Sequence, residues 1–280
     1  MGCWFAKLFR DEGYSVVVTS RNQEKLSRIG SEFNIETNSF LEAIKGADRI
    51  LVCVPVDALN EVVKIIRPGI QKNQILMDIC SVKKYPVDIL HKNFPNNLIL
   101  GTHPVFGPGS TSLKNKTFVL TPTNAMEKKF ALKFKTWLET KQVRVFILSP
   151  EKHDKLMSVV LGLSHFIGLV ACDILLEQKD YPETKNVAGT TFKMLFTLAE
   201  VATLEEPELF NSLQSHLSGT LNLETQFIHK ANEWLKLIKK KDSKEITAKM
   251  KQLKSKLKTV SDDVEHSYKV MYKMLESLES

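Results

Sequence analysis

Between Tyr14 and Leu148 short apolar runs rich in β-branched residues alternate with helical stretches, and after Pro150 that alternation stops. Alternating βα units build a parallel sheet flanked by helices, so this half of the chain is confined to an α/β architecture. The runs that read as strands cover residues 15–19, 49–54, 75–79, 98–101, 117–121 and 144–148. Ile50-Leu51-Val52-Cys53-Val54 is apolar without interruption, as a strand covered on both faces must be. Helices are expected over 23–33, 39–45, 57–66, 87–92 and 125–140, with Gly46 placed to stop the second.

From residue 150 onward apolar residues recur at three- and four-residue spacing, which predicts long helices. Breaks near 180–189, 206–207, 218–219 and 241–243 divide this part into about five of them. The expected organisation is therefore an α/β domain over 1–149 and an all-helical domain over 150–280, since 280 residues suffice for two separate cores. The helical part holds so much Leu, Val and Phe that a second copy is expected to cover some of it, giving a homodimer. Ile246, Met250, Leu253, Leu257 and Val260 fall on one stripe and predict a packing helix.

Charge and cysteine usage narrow the function classes. The net charge of +7 comes largely from lysines crowded between 236 and 258, without interleaved aromatics. That pattern is a solvated helix face and not a nucleic-acid site, though the positive balance suits a small anionic substrate. Cys3, Cys53, Cys80 and Cys172 are scattered through apolar stretches at no metal-binding spacing. They read as buried thiols of a reducing cytoplasm, and no metal site is expected. The apolar run 156–172 is shorter than the ~20 residues of a membrane span and is interrupted by Ser164 and His165, so a buried helix is expected. Met1 to Phe9 lacks the apolar stretch and cleavage site of a signal peptide.

Three segments address a cofactor. Gly2 opens a helical stretch before the strand at 15–19, as the last glycine of a dinucleotide-binding G-x-G-x-x-G does when it lets helix and strand approach. The first half is thus expected to be a Rossmann-like domain. That strand ends in Ser20-Arg21-Asn22, where an acidic residue for the ribose hydroxyls is missing. A guanidinium suits a 2′-phosphate, so Arg21, with Ser20 beside it, favours NADP, with NAD the alternative. Without a cofactor the same residues read as a helix cap and a surface arginine. The strand running into Val54-Pro55-Val56 ends at the same edge of the sheet, where cofactors lie.

Two further strand ends carry the sharpest motifs. They are Asp78-Ile79-Cys80-Ser81-Val82-Lys83 and Gly101-Thr102-His103-Pro104-Val105-Phe106-Gly107-Pro108-Gly109. With the helical segment Leu161-Gly162-Leu163-Ser164-His165-Phe166, they resemble, in order and spacing, the prephenate dehydrogenase family. The resemblance implies oxidative decarboxylation of prephenate to 4-hydroxyphenylpyruvate, a step of tyrosine biosynthesis. It makes His103 the catalytic base, Ser81 its companion at the ring hydroxyl, and His165 a substrate-lining residue. A neutral imidazole suits removal of a hydroxyl proton near neutral pH. Arogenate dehydrogenase, differing in an amino for a keto group on the substrate side chain, is the close alternative. An inactive nucleotide-binding homologue is the more distant one.

One departure from the family stands after Gly189. Many members carry an arginine there for the ring carboxylate, whereas this chain reads Thr190-Thr191-Phe192-Lys193, leaving Lys193 as a point charge for the substrate. A second concerns the start. The central strand of the usual order, with its Gly-x-Gly turn, has no counterpart before Gly2, and the expectation is an upstream, in-frame continuation that supplies both.

Overall fold

A computed structural model describes residues 1–260 and 266–279 and divides into two compact units, Met1–Met157 with Asn211–Ser218, and Ser158–Phe210 with Gly219–Ser280. In the first unit β1 (Val17–Val18) and β2 (Glu36–Thr37) pair in parallel as a two-stranded sheet. A second sheet holds β3 (Arg49–Val52), β4 (Ile75–Asp78), β5 (Leu98–Pro104), β6 (Thr117–Thr121) and β7 (Arg144–Ile147), side by side in that order. All its pairs are parallel except β5 with β6.

Successive strand residues face opposite sides of a sheet. Leu76 and Ile99 accordingly join one apolar cluster with Leu59, Val63 and Leu90, while Met77 and Leu100 join another with Phe118, Leu120, Ala131 and Leu138. Both faces are covered by helices, which makes the unit an α/β Rossmann-like domain. Helix starts follow from local side chains. Asn22 accepts from the Lys25 amide at 2.8 Å ahead of helix Gln23–Phe33. Asn124 accepts from the Glu127 amide at 3.0 Å ahead of Ala125–Thr140, and Glu127 reaches back to the Thr123 amide at 2.7 Å. Gly46, at φ +78°, follows helix Phe40–Ile44 and its extended cap Lys45.

Several expectations need correction. The strand expected over 15–19 is only two residues long, because its one partner among the described residues is the short Glu36–Thr37, which the residue pattern did not announce. The strand over 98–101 instead continues to Pro104, since Thr102, His103 and Pro104 stay in register with Leu120, Val119 and Phe118 of β6. His103 therefore sits inside a strand and not in a loop. The helix expected from residue 87 begins at Lys84. Cys80 and Cys172 are buried, but Cys3 and Cys53 are half-exposed.

The second unit is helical, with Ser164–Leu176, Thr190–Leu204, Thr220–Lys240, Ser243–Val260 and His266–Glu279 as its longer elements. Gly168 lets the first two of these meet: a Cβ there would stand 2.7 Å from the Ala202 Cβ and 3.1 Å from the Leu198 carbonyl oxygen. The helix containing the apolar run is longer than expected. It runs without interruption over Pro150–Leu176, 27 residues that by length and composition could cross a membrane, with 11% of its most apolar window buried. Of the stripe expected to make a packing helix, Ile246 is half-buried, whereas Met250, Leu253, Leu257 and Val260 are exposed among the described residues.

Gly101 tests how tightly the first unit closes around β5. A Cβ there would collide with Thr121 Oγ1 and lie 2.6 Å from Val87 Cγ2. Gly101→Ala should lower stability by about 1–3 kcal/mol, the usual result of overpacking a filled core. Urea denaturation measures it, and an unchanged midpoint would mean that helix Lys84–Asn93 yields freely.

Candidate active site

The C-terminal ends of β4 and β5 are locked together by a buried ion pair. Asp78 and Lys83 are both 0% exposed. The Lys83 ammonium donates to Asp78 Oδ1 and, at 2.6 Å, to the Thr102 carbonyl. Asp78 Oδ1 also accepts from the Cys80 amide at 2.9 Å, and the Thr102 hydroxyl donates to the Asp78 carbonyl at 2.5 Å. The turn that carries Ser81 is thus fastened from behind to the strand that carries His103. Burying two charges is favourable only where such extra hydrogen bonds accompany the pair.

A second buried chain begins on helix Pro150–Met157. Helix Lys84–Asn93 has no side chain of its own capping its start. Asp154 supplies the missing acceptor, taking the Lys83 amide on Oδ1 at 2.7 Å and the Lys84 amide on Oδ2 at 2.9 Å. His153 Nδ1 lies 2.7 Å from Asp154 Oδ1, and His153 Nε2 lies 2.8 Å from His103 Nδ1. His103 is 4% exposed and its Nε2 makes no hydrogen bond to any described residue. Burial holds the His103 imidazole well below the usual histidine range, and the neighbouring His153 and the Lys83 ammonium add to it. Burial also lowers His153, against an opposing pull from Asp154. Both rings are therefore neutral near pH 7. A neutral imidazole with one free nitrogen is a general base.

Ser81 is half-buried in the turn after β4. His165 and Lys193 belong to the second unit. His165 Nδ1 donates to the Leu161 carbonyl at 2.7 Å within its own helix. The half-buried Lys193 opens helix Thr190–Leu204, its amide donating to the Gly189 carbonyl at 3.1 Å. Among described residues no group of three or more His, Cys, Asp or Glu could hold a metal ion.

A Cβ on Gly2 would stand 3.2 Å from the Cys53 Cβ, a tight contact, so the glycine favours the close approach of helix Gly2–Asp11 to the end of β3. Thr19 Oγ1, at the end of β1, is buried with no partner among described residues. Arg21 is exposed and pairs with Glu61, its guanidinium 3.4 Å from Oε2. Ser20 Oγ accepts from the Asn22 amide at 3.2 Å, and Asn22 Oδ1 is committed to its helix. Val54 is half-buried and packs against the cluster around Leu59 and Val63, Pro55 is exposed, and Val56 is buried.

His153 and Asp154 escaped the reading of the residues, as did the roles of Asp78 and Lys83. A His-Asp pair one turn into a helix that starts at the end of β7 was the available signal, but its burial depends on β4 and β5, far away in the chain.

The chain matches two family models, "Prephenate dehydrogenase, nucleotide-binding domain" over residues 5–147 and "Prephenate dehydrogenase, dimerization domain" over 149–252. It is 28% identical over 256 residues to a probable arogenate/prephenate dehydrogenase of Methanocaldococcus jannaschii, covering 90% of this chain and 57% of that protein. The chain spans about half the length of the curated relatives it matches. Among solved structures it resembles prephenate dehydrogenase from Aquifex aeolicus in complex with hydroxyphenyl propionate and NAD+, with TM-score 0.76, 23% identity and coverage of 93% of this chain and 95% of that one. It also resembles Synechocystis arogenate dehydrogenase, with TM-score 0.73, 18% identity and coverage of 93% and 96%. At these identities the two structures speak for the fold.

The Asp78–Lys83 lock gives a test of the site's scaffold. Lys83→Met leaves a buried carboxylate without its counter-charge and should destabilise the protein by about 3–5 kcal/mol. Combining it with Asp78→Asn should recover part of that loss in chemical denaturation. Equal stabilities of single and double variants would show that the two charges are not coupled.

Proposed function

This chain belongs to the prephenate dehydrogenase family, and we propose that it oxidatively decarboxylates prephenate to 4-hydroxyphenylpyruvate in tyrosine biosynthesis, with His103 as the base. The observation that carries the reading is the buried, neutral His103 with an uncommitted Nε2 at the end of β5. In this reading His103 Nε2 takes the proton of the ring hydroxyl, and Ser81, on the neighbouring strand end, orients that oxygen. Loss of the ring carboxylate as carbon dioxide makes the ring aromatic and drives the reaction forward. His165, and Lys193 as a cation for a substrate carboxylate, complete the set from the helical unit.

A nicotinamide cofactor, when bound, supplies the hydride acceptor. Close packing at Gly2 and the unpaired Thr19 Oγ1 fit a nucleotide lying across the ends of β1 and β3. Ser20 and Arg21 would stand at its ribose. We assign NADP over NAD because Arg21 is a cation where NAD-preferring proteins carry an acid. The protein acts as a cytoplasmic homodimer in this proposal, its second copy covering the exposed apolar residues of the helical unit.

Assays with prephenate and arogenate, each with NADP and NAD, test the reading. Oxidation of prephenate with release of carbon dioxide is expected. Preference for arogenate would transfer the assignment to that substrate, and inactivity on both would remove it. His103→Asn should lower kcat by about 10²–10⁴-fold, the usual range for a lost general base, with cofactor binding intact. Arg21→Asp should weaken NADP far more than NAD in a fluorescence titration. Equal losses would show that Arg21 does not read the 2′-phosphate.

A further inference from the structure

Asp154, His153 and His103 stand in an unbroken hydrogen-bonded line, each link within 2.8 Å. The protons along that line can be assigned. Asp154 Oδ1 already accepts from the Lys83 amide, and a carboxylate has nothing to donate, so His153 Nδ1 carries the proton of the 2.7 Å contact. A neutral His153 then has its lone pair on Nε2, and the 2.8 Å contact with His103 requires His103 to carry its proton on Nδ1. The lone pair of His103 is thereby placed on Nε2, the one nitrogen of the line with no partner among described residues.

We propose that His153 and Asp154 are positioning residues that fix His103 in its Nδ1–H tautomer and receive the charge when His103 takes a proton. The step balances without any other reactant. A proton arrives on His103 Nε2, the proton of His103 Nδ1 passes to His153 Nε2, and the resulting imidazolium of His153 lies against the carboxylate of Asp154. His103 ends neutral, so the positive charge is kept off the ring that has no carboxylate against it. The charged and titratable groups facing the pair are Asp154 on the histidine's own helix and Asp78 and Lys83 at the end of β4. Lys83 opposes a charge on either ring, while Asp154 and Asp78 favour one on His153. The line thus carries charge from the less favourable ring to the more favourable one. As a role in turnover the relay rests on the dehydrogenase reading, but the tautomers it requires do not.

Two measurements separate these. Nitrogen-detected imidazole NMR of the whole wild-type protein without substrate, at neutral pH, should show protonated Nδ1 and bare Nε2 on both His103 and His153. A bare Nδ1 on His103, or a charged His153, would overturn the relay. In turnover, His153→Leu should lower kcat by about 10²-fold with little change in KM, because the base loses its tautomer and its charge acceptor. His153→Gln, whose amide oxygen can still accept from His103 Nδ1, should recover part of that loss. Asp154→Asn should move the acid limb of the kcat profile to lower pH, since the carboxylate that raises His153 is gone. An unmoved limb, or equal kcat for the Leu and Gln variants, would reduce the line to a structural contact. Inactive wild-type protein showing the expected tautomers would overturn the dehydrogenase reading alone.

Discussion

Lys83 has no exposure at all, and an ammonium in that position has to find every one of its partners inside the protein. It finds a carboxylate at the end of β4 and a carbonyl at the end of β5. These are the two strand ends that carry Ser81 and His103. The charge pair consequently fixes the separation of those ends more stiffly than neutral packing could, because any shift of one strand leaves a buried charge unanswered. Gly101 stands on β5 opposite Asp78, where Thr121, Val87 and the Lys83 stem crowd the place a Cβ would take.

Asp154 extends that constraint to a third element. It closes the open amides of helix Lys84–Asn93 and at the same time holds the outer nitrogen of His153. A carboxylate at a helix start is stabilised by the partial positive charge there. The residue that could draw a proton through His153 is therefore also the cap that the Ser81-bearing turn leads into. The turn, the strand with His103 and helix Pro150–Met157 cannot be displaced independently, and this is what keeps an uncharged histidine pair aligned in a site with two acids and a lysine.

Much of this was legible in the residues and some was not, for physical reasons. β4, β6 and β7 were visible because runs such as Ile75-Leu76-Met77 and Phe118-Val119-Leu120 must be apolar throughout when helices cover both faces. His103 was visible as a functional residue but lay just past the expected strand end at residue 101, because the motif's glycines and prolines, Pro104 and Gly107 to Gly109, look like a turn. The antiparallel register of β6 is a non-local fact and carried the strand through to Pro104. The same limit hid His153 and Asp154. Their neighbours in sequence are charged, and only contacts with residues some 50 to 70 positions away bury them.

The helical unit shows the limit from the other side, since its apolar pattern was plain but not what covers it. Helix Pro150–Leu176 passes the length and hydropathy test for a membrane span, yet its first turns hold His153 and Asp154, both buried and fully engaged in hydrogen bonds among polar partners. Exposed apolar residues also occur on the other helices, Leu204 and Leu221 among them, and Met250 and Leu257 interleave with the lysines 249, 251, 254, 256 and 258. A bilayer would require one helix to be apolar on every side and free of such charges. Apolar faces distributed over several helices and bordered by lysine match a protein surface of the same kind, because a second helical unit can bury each stripe while leaving the charged rims in water. The proposed dimer rests on that distribution and would cover the exposed Met250, Leu253, Leu257 and Val260.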